Sequence, residues 1–121
     1  MAIDAHEFRR GLSQFASGVT VVTTRDAAGQ PQGLTASSFC SVSLDPPLVL
    51  VCVDNRLGAR RAIEERGLFA VSVLAESQES VSRQFASRHS MWQSAPDTSG
   101  TPVVPDESST PENLSIPRLA N

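Results

Sequence analysis

The chain has 121 residues, enough for one domain and not for two, and 40% of them are apolar, which predicts a modest core. The chain has no Lys, its cations all being Arg, and the net charge of −3 (His neutral) leaves no basic face to displace counterions from nucleic acid. Five Phe and one Trp are also too few for a base-stacking surface. No apolar run approaches the roughly 20 residues that span a bilayer. Met1-Ala2-Ile3-Asp4-Ala5-His6 has neither the basic start nor the apolar stretch of a secretory signal. Nucleic acid and membrane are therefore excluded as partners, and the expected location is cytoplasmic.

Asp4 followed by Glu7 reads as a capping box, and Phe8, Leu12 and Phe15 follow at helical spacing. Gly18 stands where that helix would end. Val19 to Thr24 is β-branched throughout and predicts a strand. Asp26-Ala27-Ala28-Gly29 supplies turn chemistry, and residues 32–38 would return antiparallel. Gly33 inside that second strand predicts a bulge or a close approach by a ligand. A third strand over 39–44 alternates, and Asp45-Pro46-Pro47 turns the chain. Leu48-Val49-Leu50-Val51-Cys52-Val53 is apolar throughout and is expected to be the most buried strand. A helix over 58–66 closes on Gly67, a strand spans 68–74, and Ser77 caps a last helix in which Val81 and Phe85 share a face.

The sum is a mainly β domain with short helices (α+β), five strands at best, of the kind that closes into a small barrel. Cys40 and Cys52 lack the spacing of a redox or zinc pair and read as small buried fillers. Residues 91–121 hold five of the eight prolines and no apolar periodicity. They read as a Pro/Ser-rich disordered tail behind a domain at 1–90.

A barrel alone fixes no function. Three ordered segments add more: FRRGLSQFASGVTVVTT, GLTASSFCSVSLDPPLVLVCVD and GLFAVSVLAESQESVSRQFASR. From Phe8 to Arg88 they resemble the flavin reductase family of FMN-binding split β-barrels, reductase components of two-component flavin-dependent monooxygenases. The resemblance implies NAD(P)H-dependent reduction of FMN or FAD, with NADH or NADPH as electron donor. It also implies a homodimer and an oxygenase component that receives the reduced flavin. In such enzymes the cofactor carries the hydride chemistry and the protein orients the reacting atoms. No catalytic side chain and no metal is assigned, in keeping with the lack of a Ser-His-Asp or metal-ligand constellation.

The resemblance places flavin contacts at Thr35, Ala36, Ser37 and Ser38, where small hydroxyl residues and free N–H groups let a ribityl chain or phosphate approach. The bland alternative is a polar strand end facing water. Cys52, Val53, Asp54, Asn55 and Arg56 match the segment that contacts isoalloxazine and phosphate. Arg56 offers a planar donor fork, or is a solvated surface Arg. The family often carries Ser or Thr just beyond, where this chain has Leu57-Gly58-Ala59. That departure shifts phosphate contact toward Arg60 or Arg61, which otherwise form the exposed face of the helix. Ala86, Ser87 and Arg88 match the loop that closes over the flavin, while Phe85 reads as core packing with Val81.

The family's later strands find no match between Met91 and Asn121, so the expected split barrel is incomplete at its C-terminal side, as in a truncated or frame-shifted product. Strands 19–24 and 48–53 would then expose apolar faces, each large side chain forfeiting roughly 1.5–3 kcal/mol, with dimerisation or aggregation as the expected response. The alternative function is a non-catalytic flavin-binding or dimerisation remnant of the family. A split barrel of the pyridoxamine-phosphate oxidase type is disfavoured because it usually presents basic residues for two phosphates and this chain has no Lys. A generic interaction module is what would remain if no flavin binds.

Overall fold

The computed structural model describes residues 2–87 and 104–105. Asp4 Oδ1 accepts from the N–H groups of His6 and Glu7 at 2.8 and 2.9 Å and so starts α1 (Ala5–Leu12). The helix stops well short of Gly18. Ser13 closes it, its N–H donating to Arg9 O at 2.9 Å and its hydroxyl to Arg10 O at 2.8 Å. No residue of α1 is buried, and Phe8, Leu12 and Phe15 are all exposed.

The core forms around β1 (Thr20–Arg25), paired antiparallel with β2 (Pro31–Ala36) on one side and β5 (Ala70–Val73) on the other. A central strand covered on both faces suits an unbroken β-branched run, and Val21, Val22, Thr23 and Thr24 are fully buried. The buried hydroxyls find acceptors: Thr20 Oγ1 donates to Ala36 O at 2.7 Å and Thr24 Oγ1 to Leu68 O at 2.6 Å. Asp26 Oδ1 accepts from the N–H groups of Ala28 and Gln30, and Gly29 takes φ 80°, so the β1–β2 turn forms as expected.

α2 (Gly58–Arg66) ends on Gly67 at φ 63°, the left-handed stop predicted for it. It buries Ala59 and Ala62, and Ala59 joins Val22, Leu34 and Ala36 in one cluster. α3 (Glu79–Ala86) packs on β2 through residues of the opposite face, Gly33 and Thr35. Its start differs from the expectation. A 3-10 turn at Glu76–Gln78 precedes it, and the Gln78 side chain, not Ser77, accepts from Ala75 N–H at 2.8 Å. Gly33 needs no bulge, because the register runs unbroken through Thr23↔Gly33. The group that comes close to it is the ring of buried Phe85.

β3 (Cys40–Ser43) and β4 (Leu48–Leu50) form a separate antiparallel ribbon. The strand expected to be the most buried is therefore open: Leu48, Val49 and Leu50 are 49%, 47% and 46% exposed. Two strands have no second layer of their own, and among the described residues no third element joins them. Cys40, on the ribbon, and Cys52, two residues past its end, are free and exposed, so neither is a buried filler. The expected exposure of apolar strand faces thus holds for β4 and fails for β1, which is shielded on both sides.

Most of the segment read as a disordered tail lies outside the described residues. Within it Pro105 is buried and its carbonyl accepts from Arg25 Nε at 2.9 Å. The described chain is thus a mixed α+β arrangement in which no helix is long and apolar enough to cross a membrane.

Candidate functional site

Two of the three groups of residues matched to flavin contacts meet at one place. Extending the Cys40↔Leu50 register by two residues along each strand sets Ser38 opposite Cys52. The Ser38 hydroxyl accepts from Cys52 N–H at 3.0 Å and donates to Cys52 O at 3.2 Å. Residues 35–38 at the end of β2 and residues 52–56 beyond β4 are thereby held side by side.

Thr35 faces elsewhere. Its Oγ1 donates to Ser82 O at 2.6 Å and ties β2 to α3. Ala36 is buried, its carbonyl taken by Thr20. Of the three hydroxyls at 35–38, Ser37 is exposed and has no hydrogen-bond partner among the described residues. It is the one free to meet a ribityl chain or a phosphate. The Ser82 carbonyl was not foreseeable, since a main-chain acceptor is encoded by no residue type.

Beyond Cys52 the chain turns through Asp54. Asp54 Oδ1 accepts from Arg56 N–H at 2.9 Å, and Asp54 O from Leu57 N–H at 3.1 Å. The Arg56 guanidinium donates to the same carboxylate, Nη2 to Oδ2 at 2.6 Å. This hydrogen bond, with the carboxylate charge behind it, raises the Arg56 pKa above its ordinary value. Its planar fork is thus present and charged, but turned toward Asp54. Val53 is half-buried against the core cluster, whereas Asn55 is exposed.

Arg60 and Arg61 pair with Glu64 and Glu65 one turn along α2, both at 2.7 Å. The Glu65 hydrogen bond and charge likewise raise the Arg61 pKa. Both guanidinium groups are engaged along the helix surface. Ala86 and Ser87 lie exposed at the C-terminal end of α3, with the Ser87 hydroxyl donating to Gln84 O at 3.2 Å. Arg88 lies outside the described residues. A groove along α1, lined by Ile3, Glu7, Arg10, Gly11 and Gln14, includes none of these positions.

Comparison with known proteins gives this arrangement a context. The chain is 48% identical over 87 residues to the reductase subunit of a flavin-dependent monooxygenase from Rhodococcus jostii, covering 72% of the chain and 44% of that protein. It is 41% identical over 114 residues to an NADH:riboflavin 5'-phosphate oxidoreductase from Streptomyces pristinaespiralis, covering 87% of the chain and 62% of that protein. Among solved structures it resembles the flavin reductase component of a bacterial two-component tryptophan halogenase, with a TM-score of 0.65 and 47% identity over 70% of the chain and 52% of that protein. The chain thus spans about half the length of these relatives. The match to the flavin reductase like domain covers residues 12–116, running past Arg88, where the likeness visible in the sequence stops. By that match the chain belongs to the flavin reductase family.

Proposed function

We propose that the chain is an NAD(P)H-dependent flavin reductase that supplies reduced flavin to a monooxygenase partner. The observation that carries this reading is the Ser38–Cys52 junction, which sets residues 35–38 beside residues 52–56. The residues present suit a flavin. Ser37 offers a free hydroxyl, the segment at 52–54 offers a strand end outside regular pairing, and Arg56 offers a charged fork once released from Asp54. When bound, the flavin supplies the acceptor for a hydride from the nicotinamide. The protein's part is to hold the ring and the phosphate. Ser37 and the main chain of Val53 bind, Thr35 fixes α3 over β2, and Ala86 with Ser87 border the site. No side chain is required as an acid or nucleophile.

NADH appears in the name of the Streptomyces relative and supports NADH as the donor; either FMN or FAD fits the proposal. The split barrel and a homodimer belong to the same reading, supported by the exposed apolar ribbon β3–β4. Two free exposed thiols suit a reducing, cytoplasmic setting.

The test is consumption of NADH or NADPH by the purified chain with FMN or FAD. Oxidation well above the flavin-only control supports the proposal, and its absence overturns it. A second reading is a flavin-binding or dimerisation module without turnover. It is favoured by Leu57-Gly58-Ala59, which puts no hydroxyl where the family often has one. Its signature is quenching of FMN fluorescence without NADH oxidation.

A further inference from the structure

Ser38 does something unusual for a residue opposite its strand partner. In an antiparallel ladder a hydrogen-bonded pair exchanges two bonds, main chain to main chain. Here the Ser38 side-chain oxygen takes both roles, accepting from Cys52 N–H at 3.0 Å and donating to Cys52 O at 3.2 Å. No main-chain bond joins the two residues among those described. The register still aligns them, two residues beyond Cys40↔Leu50.

Two consequences follow from the chemistry of a hydroxyl, which has one proton to give. That proton is committed to Cys52, so Ser38 cannot also donate to a phosphate or ribityl oxygen while the junction holds. In addition, the contact between the two residues runs through a side chain rather than through main-chain groups on both sides. The N–H and C=O of Ser38 are thereby kept out of strand pairing, at the point where residues 35–38 and 52–56 meet.

We propose that Ser38 is a positioning residue of the flavin site: its hydroxyl spaces the two binding segments and does not itself bind the cofactor. This rests on the flavin reductase reading above and assigns Ser38 a role within it. Ala at position 38 would leave Cys52 N–H and C=O without these partners and let the segments close up or drift. Thr keeps the oxygen and restores the junction.

The experiment uses the full chain as wild type, Ser38→Ala and Ser38→Thr. Hydrogen exchange at the Cys52 amide is measured without ligand, and FMN affinity is measured by fluorescence quenching. Denaturation midpoints ensure that affinities are compared between folded proteins. Ser38→Ala is expected to exchange faster at Cys52 with no flavin present and to bind FMN about tenfold more weakly, a loss near 1.4 kcal/mol. Ser38→Thr is expected to recover both. A change in FMN affinity with Cys52 exchange unaltered would mean direct contact and overturn the proposal. Faster exchange with unchanged affinity would overturn it as well, leaving the flavin reading intact. If the wild type binds neither FMN nor FAD, the flavin reading itself fails and the positioning role falls with it.

Discussion

The ring of Phe85 in α3 lies so close over Gly33 in β2 that a methyl group at position 33 would stand 2.7 Å from Cε1 and 2.8 Å from Cδ1. Phe85 is buried, so the ring has nowhere easy to go. Gly33→Ala is expected to destabilise the fold by about 1–3 kcal/mol, the usual cost of overpacking. Phe85→Ala removes the ring and is expected to cost about 3–5 kcal/mol. In the Phe85→Ala background the Gly33→Ala penalty should largely vanish, because its cause has gone. Urea unfolding of the four proteins measures this; additive effects would show that the contact is not what excludes a side chain at position 33.

Much of this packing can be traced in the sequence, and the failures have physical causes. β1 announced itself because Val21, Val22, Thr23 and Thr24 are β-branched, and Gly67 announced the end of α2. Gly33 was legible as a close approach, but a single glycine cannot say whether a ligand or a phenyl ring approaches it. Leu48-Val49-Leu50 misled, since an apolar run states a need for cover and not its presence. The site was half legible. The residue types at 35–38 and 52–56 marked the place, yet which hydroxyls were already spent depended on contacts from Ser82 and Cys52, far away in the chain.

The three hydroxyls at 35–38 should therefore separate by assay. Ser37 is exposed with no partner among the described residues, so Ser37→Ala is expected to leave the unfolding midpoint in place. If Ser37 meets the flavin phosphate, FMN binding weakens about tenfold, as for a lost hydrogen bond to a charged group. Thr35→Val keeps the shape but deletes the 2.6 Å bond to Ser82 O, and is expected to cost about 1 kcal/mol of stability. Fluorescence titration and urea unfolding on both variants make the comparison; a loss of stability in Ser37→Ala would contradict its assignment as the free hydroxyl.

Arg56 and Asp54 compete for what the guanidinium can do. With the carboxylate holding it at 2.6 Å, part of its charge is already answered. Asp54→Asn is expected to release the fork and tighten FMN binding, while Arg56→Ala weakens it, each by about threefold to tenfold for a charge-assisted contact at an exposed site. Both differences should shrink as salt is raised, since screening acts strongly on exposed charges. FMN titrations at low and high ionic strength decide this. Equal affinities for the two variants would return Arg56 to the role of a solvated surface residue.

The ribbon β3–β4 presents Val42, Leu44, Leu48, Val49 and Leu50 to solvent. A two-stranded ribbon is marginal by itself, and its unpaired edges invite a further strand. Covering one such side chain is worth roughly 1.5–3 kcal/mol, so two or three of them across an interface can hold two chains together. Self-association through this ribbon is the expected outcome. Leu48→Ser with Leu50→Ser removes apolar surface at exposed positions and should leave the sheet β2–β1–β5 intact, because neither residue belongs to the buried cluster around Val22. Sedimentation analysis should then find a dimer for the wild type and a monomer for the double variant, with similar far-ultraviolet circular dichroism for both. A wild type that sediments as a monomer, or a double variant that still sediments as a dimer, would remove the ribbon from the interface.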